Sequence, residues 1–139
     1  MINGLFRRRD VRRVLVADDD DDIAKVVATN LRSEGFEVDV VGNGWEAQAR
    51  ALRTAPDLIV LDVIMPGRSG LEVLASLRTR PETRDIPVVL LTARSSDEQI
   101  WEGWKAGAAY YLTKPFEVGQ LLRFVHSLFE PKSPGFASA

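Results

Sequence analysis

Five short apolar runs are spread along this chain, and segments with apolar residues at helical spacing separate them. The runs are Val14-Leu15-Val16-Ala17, Phe36 to Val41, Leu58-Ile59-Val60-Leu61, Val88-Val89-Leu90-Leu91 and Ala109-Tyr110-Tyr111-Leu112. The first, third and fourth are unbroken, as in strands buried on both faces of a parallel sheet. The second alternates, with Phe36, Val38 and Val40 set against Glu37 and Asp39. That pattern suits an edge strand. Repeated strand–helix order leads to an α/β fold, with a parallel sheet, helices on both faces and right-handed crossovers.

The helical segments carry their own signals. Ile23, Val26, Val27 and Leu31 form one apolar stripe, with Gly35 placed as a C-cap glycine. Asn43-Gly44 turns the chain into a helix bearing Ala47, Ala49 and Leu52. Leu71, Val73, Leu74 and Leu77 mark a third helix, which Pro81 stops, and Pro87 opens the fourth strand. Ser95 and Glu98 have capping-box spacing before a fourth helix. Leu121, Phe124, Val125 and Leu128 form the stripe of a fifth. The expected layout is an N-terminal arm at 1–11, one domain at 12–130 and a tail or linker at 131–139.

Composition narrows the function. The chain has 139 residues, a formal net charge of −2, no cysteine and a single histidine, His126. The balanced charge argues against a broad nucleic-acid footprint. Disulfides and thiolate metal sites are excluded, and an ordinary zinc site is not expected. His126 reads as a surface or boundary residue. No apolar run is long enough for a bilayer span. Arg7, Arg8 and Arg9 are not followed by the apolar stretch of a signal peptide. The expected setting is cytoplasmic, away from membranes.

In open parallel sheets, ligands bind outside the carboxyl ends of the strands. Asp18 to Asp22 follow the first run, Asp62 the third, Thr92 the fourth, and Thr113-Lys114-Pro115 the fifth. Asp20, Asp21 and Asp22 suit a helix start, where carboxylates cap the N-terminus and favour the helix dipole. Asp18 and Asp19, directly after a buried strand, point instead to a site. Two carboxylates 4 Å apart repel by about 4 kcal/mol at an effective dielectric near 20. Asp18, Asp19 and Asp62 together therefore call for a proton or a cation. An all-oxygen set suits Mg²⁺, and Lys114 adds a second positive charge. The pattern is that of a carboxylate nucleophile awaiting a phosphoryl group.

Four motifs, in order and correctly spaced, are VLVADDDDDI, PDLIVLDVIMPGRSGLEVL, IPVVLLTAR and GAAYYLTKPF. Together they resemble the receiver domain of two-component response regulators, over about Arg12 to Phe129. The resemblance implies a flavodoxin-like (βα)5 fold with strand order 2-1-3-4-5. It implies Asp62 as phosphoacceptor and Mg²⁺ (or Mn²⁺) held by Asp19, Asp62 and the backbone carbonyl of Ile64, with Asp18 acting through a metal-bound water. Lys114 would pair with Asp62 or its phosphoryl oxygens, and Thr92 would hydrogen-bond a phosphoryl oxygen. Tyr111 aligns with the aromatic that changes rotamer, and the Lys114–Pro115 bond is expected to be cis.

The implied partners are a sensor histidine kinase or histidine phosphotransfer protein and a downstream effector or fused output domain. The face formed by the fourth helix, fifth strand and fifth helix would meet them, with a homodimer through that face as a further option. The segment itself would bind no nucleic acid. It would catalyse its own phosphorylation and slow dephosphorylation without being a conventional multi-turnover enzyme. Ser69 stands where many receivers have Asp, and it can still cap a helix. Ile64 and Arg94 are neighbours that could alter hydrolysis of the acyl phosphate. Trp104 is assigned to the core and Trp101 to a surface or packing role. Two rivals remain. Asp18-Asp19-Asp20 could imitate the Asp-x-Asp of haloacid dehalogenase-type phosphatases, although Asp62 is then unexplained. A phosphorylation-independent binding module is the other.

Overall fold

In a computed structural model, described over residues 11–93 and 102–129, five strands form one parallel sheet in the order β2-β1-β3-β4-β5. The strands are β1 (Arg13–Ala17), β2 (Glu37–Val41), β3 (Leu58–Asp62), β4 (Val88–Thr92) and β5 (Tyr110–Thr113). Between and after them come α1 (Asp21–Ser33), α2 (Gly44–Thr54), α3 (Gly70–Leu77), a helical segment α4 (102–105) and α5 (Val118–Phe129). No helix among the described residues is long and apolar enough to cross a membrane. The arm at 1–10, Arg94, the Ser95–Glu98 pair, Trp101 and the tail from Glu130 lie outside the described residues.

The unbroken apolar runs are explained by a sheet covered on both sides. Leu15, Ile59, Leu61, Val88 and Leu90 face one layer, where Ala47 and Ala51 of α2 and Val73, Leu74 and Leu77 of α3 meet them. Val14, Val16, Leu58, Val60 and Leu91 face the other, against Val27 and Leu31 of α1 and Leu121 and Val125 of α5. The period of two along each strand supplies both layers from the same run. All of β3 and β4 is buried, whereas β2, the edge strand, exposes Glu37, Asp39 and also Val40, so the alternation expected of it breaks at Val40.

Val26, Ala49 and Leu128 of the expected stripes, together with Trp104, are exposed. Val26 is 51% exposed, and Ala24 and Ala28 take its place in the buried stripe of α1. Ala49 is exposed on α2 while Ala51 is buried. In α1 the small alanines suit a close approach to the sheet, whereas in α2 Ala51 lies one turn from Ala47 and Ala49 does not share their face. Trp104, assigned to the core, is 45% exposed. Gly103 fills the sheet-facing position of α4, where an added Cβ would lie 2.9 Å from Leu90. One residue further round the helix, Trp104 turns to solvent.

The helix ends follow local chemistry. Asp20 caps α1 and Asn43 caps α2, each accepting backbone N–H bonds, and Ser69 with Glu72 forms a capping box on α3. Gly35 takes φ +99° directly after the C-cap of α1. α3 ends at Leu77, short of Pro81, and Arg78 follows as its C-cap. The Arg78 guanidinium donates to the carbonyls of Ile86 (2.9 Å), Thr83 (3.4 Å) and Gly107 (2.8 Å). It thereby ties the end of α3 to the approaches of β4 and β5. Arg78→Met is expected to cost about 2–3 kcal/mol, because bonds from a charged donor are each worth more than neutral ones. A lower urea midpoint at unchanged slope would register this. Arg78→Lys should recover only part, since one ammonium cannot span the fork.

Candidate functional site

Strand register brings the site together. Ala17 pairs with Leu61, so Asp18 and Asp62 are the next residues on adjacent strands. Thr92 pairs with Thr113, which puts Lys114 one step beyond Thr92. The backbone continues this order. Asp18 N–H donates to Val41 O (3.1 Å), Val63 N–H to Leu91 O (2.8 Å) and Lys114 N–H to Thr92 O (2.6 Å). The Lys114–Pro115 bond is cis.

The run of five aspartates divides as its positions dictate. Asp20 Oδ1 accepts from Asp22 N (3.0 Å) and Ile23 N (3.2 Å), while Asp21 and Asp22 occupy the first turn of α1. Asp18 is buried, and its Oδ1 accepts from Asp20 N at 2.9 Å. Its Oδ2 has no aligned hydrogen-bond donor among the described residues, but the Lys114 ammonium sits 3.0 Å from it. Asp19 is exposed.

Asp62 is only 4% exposed. Its Oδ1 accepts from Ile64 N at 3.2 Å and its Oδ2 from Lys114 Nζ at 3.0 Å. The loop after it folds back, with Gly70 N–H donating to Val63 O at 2.8 Å. A Cβ on Gly70 would lie 2.2 Å from the Asp62 carbonyl oxygen, so only glycine allows this approach. A glycine next to a capping serine, just beyond a buried strand, is the signal that could have revealed it.

Lys114 thus bridges the two buried carboxylates. Burial pushes the Asp62 carboxyl up, the Asp18 carboxylate pushes it further, and Lys114 opposes both, leaving it at about 6. Burial alone would lower Lys114, but its pairing with Asp18 and Asp62 outweighs this and raises it. Carboxylate oxygens of Asp18, Asp19 and Asp62 lie within 4.8 Å of one another. Three carboxylates face one ammonium there. An all-oxygen cluster of surplus negative charge, with one buried oxygen lacking an aligned donor, fits a hard divalent cation such as Mg²⁺ or Mn²⁺. Ile64 contributes its N–H to Asp62, and its side chain is 53% exposed.

Thr92 is buried beside the ring of Tyr111. Burial raises the Tyr111 phenol, and the neighbouring Thr92 hydroxyl draws it back. Tyr111 is half-buried, with its ring against the bare face of Gly103. Trp104, next to Gly103, is exposed, and His126 Nε2 meets Glu34 Oε1 at 2.6 Å near the exposed end of α1.

A protein-family model described as response regulator receiver domain matches residues 14–126. The chain is similar to the phosphate regulon transcriptional regulatory protein PhoB of Rhizobium meliloti (strain 1021), with 37% identity over 88% of this chain and 54% of that protein. It is also similar to the transcriptional regulatory protein PrrA of Mycobacterium leprae (strain TN), with 44% identity over 84% of this chain and 49% of that protein. The chain therefore spans about half the length of these curated relatives. Among solved structures, chemotaxis response regulator CheY4 of Vibrio cholerae superposes with a TM-score of 0.80 at 33% identity, covering 86% of this chain and 99% of that one.

The raised Asp62 value has a defined consequence for stability. Its folded value of about 6 exceeds the ordinary 3.8, so protonation favours the folded state. That contribution is complete below the ordinary value and is lost as pH rises through about 6. In chelator at pH 7, Asp62→Asn is expected to stabilise the protein by about 1–2 kcal/mol after solvent screening. The gain should shrink toward pH 4, and added Mg²⁺ should shrink it too by stabilising the wild type. Thermal melts across pH, with and without Mg²⁺, measure both.

Proposed function

This chain belongs to the response regulator receiver domain family, and from that premise we propose that Asp62 accepts a phosphoryl group from a phosphohistidine donor in a Mg²⁺-dependent reaction. The carrying observation is the Lys114 ammonium held 3.0 Å from both Asp18 Oδ2 and Asp62 Oδ2 at the tips of separate strands. A nucleophilic carboxylate, a mobile positive charge and an acidic cluster able to hold a cation stand within reach of one another.

In the proposed step, an Asp62 carboxylate oxygen attacks phosphorus in line with the departing imidazole nitrogen. The P–O bond forms as the P–N bond breaks, and the imidazole takes a proton from solvent. Asp19, Asp62 and the Ile64 carbonyl would hold the metal, with Asp18 acting through a metal-bound water. When bound, a divalent ion supplies charge neutralisation for the carboxylates and the phosphoryl oxygens. Lys114 follows the negative charge from the carboxylates to the transferred oxygens. The Thr92 hydroxyl donates to one of those oxygens and so draws away from Tyr111. Tyr111, whose hydroxyl is already buried next to Thr92, then repacks along Gly103, which couples the site to the face formed by α4, β5 and α5.

Such a coupling, typically about 1–3 kcal/mol, shifts a population between two packings and leaves the fold intact. That face would present the change to an effector or fused output domain, or to a second copy of the chain. The donor would be a sensor histidine kinase or a histidine phosphotransfer protein, acting in the cytoplasm. An apolar groove of about 250 Å³ borders the site, lined by Ile23 and Val26 of α1 and by Lys114, Pro115 and Phe116. A helix carrying the donor histidine could pack there. This use would explain why Val26 stays exposed.

Incubation with a small phosphodonor such as acetyl phosphate tests the reading. The intact mass should rise by one phosphoryl group in the presence of Mg²⁺, and the gain should vanish with chelator or in Asp62→Asn. Lys114→Gln should slow labelling by roughly 100-fold or more, the scale of a lost transition-state charge partner. Turnover that survives Asp62→Asn would indicate a hydrolase instead, and labelling indifferent to Mg²⁺ would remove the metal.

A further inference from the structure

Trp45 opens α2 and is 56% exposed, yet it is fixed in place. The loop that follows Asp62 turns at Gly67 with φ +81°, and a Cβ there would lie 2.8 Å from Trp45 Cδ1. The next residue, Arg68, stacks its guanidinium over the Trp45 ring at 4.9 Å. Arg68 Nε is buried and has no hydrogen-bond partner among the described residues, so the cation–π contact with Trp45 is the side-chain interaction that holds the guanidinium there. The backbone makes a parallel connection. Gly44 N–H donates to Pro66 O at 3.1 Å, and a Cβ on Gly44 would collide with Arg68 O at 1.9 Å.

The loop is thus held at two points. Its ends are closed by Gly70 N–H on Val63 O, and its tip is pressed against the start of α2. Between these points lies Ile64, whose N–H already binds the Asp62 carboxylate. Ile64 projects its side chain into solvent, and the next side chain, Met65, is buried in the core. At the tip, the Gly44 N–H on Pro66 O and the Trp45 side chain together face the loop. A large ring left half in water contributes little to the core. Its contacts are with Gly67 and Arg68, both at the tip of this loop.

We propose that Trp45 is a positioning residue: its contacts with Gly67 and Arg68 set the loop after Asp62, and through it the Ile64 carbonyl, in the geometry a divalent cation requires. The inference rests on the metal-dependent reading above. Trp45 acts through the loop and touches neither the metal nor the phosphoryl group.

The test compares wild type, Trp45→Ala and Trp45→Phe by calorimetric titration with Mg²⁺ alone and by amide hydrogen exchange. Trp45→Ala should weaken Mg²⁺ binding by roughly three- to tenfold, at the lower edge of what lost supports of metal ligands cause. Exchange at the Gly44 and Arg68 amides should quicken while β3 amides keep their protection. Trp45→Phe retains a ring face for Arg68 and should restore both readouts most of the way. Mg²⁺ affinity within twofold of wild type in Trp45→Ala would overturn the inference, as would exchange that quickens equally throughout the domain. A wild type that binds no Mg²⁺ would sink the proposed function together with the metal half of this inference. The exchange pattern would still decide whether Trp45 holds the loop.

Discussion

The Lys114 ammonium between two buried carboxylates is the interaction on which the rest of the site depends. Asp18 and Asp62 end adjacent strands with almost no exposure to water. Two such anions would repel by several kcal/mol at any plausible internal dielectric. Lys114 reaches both from the end of β5, at 3.0 Å each. Among the described residues, however, one positive charge does not balance three carboxylates once Asp19 is counted. The resting site is held together but remains electrically incomplete, and that deficit favours cation binding. In the proposed reaction, a transferred phosphoryl group would give Lys114 and Thr92 a new anionic partner.

The sheet supplies the rigidity this arrangement needs. Register alone puts Asp18 beside Asp62, and Lys114 just past Thr92 and Thr113. β3 and β4 are buried along their whole length, so the strand tips cannot drift without opening both core layers. What the sheet does not control is the chain that leaves β3. Gly70 brings that chain back against the Asp62 carbonyl, and Trp45 with Gly44 receives its tip. The site is therefore built from stiff strand ends and one loop held from outside.

Much of this was legible in the residues. Unbroken apolar runs reported strands covered on both faces, and the alternating run reported the edge. The division of the aspartates also followed from position. Asp20 to Asp22 serve the N-terminus of α1, while Asp18 and Asp19 sit immediately after the strand. The misses share a physical origin. Helical spacing tells which residues share a face but not how closely the helix sits on the sheet. Alanines at 24 and 28 therefore took the position that Val26 seemed suited to fill, while Ala49 fell outside the face that Ala47 and Ala51 share. Trp104 looked like core by size alone, but Gly103 occupies the close approach to Leu90 and Tyr111. Contacts between distant segments, such as Trp45 on Gly67 and Arg68, have no periodic signature and required the fold.

Among the three clustered carboxylates, Asp62 is the one that is buried, paired with Lys114 and also backed by the Ile64 amide. Borohydride reduction of the phosphorylated protein converts an acyl phosphate to an alcohol, so peptide sequencing by mass spectrometry can identify the modified residue. Homoserine at position 62, and at no other aspartate, is the expected result. Homoserine at 18 or 19, or a phosphoryl group found on His126, would contradict it.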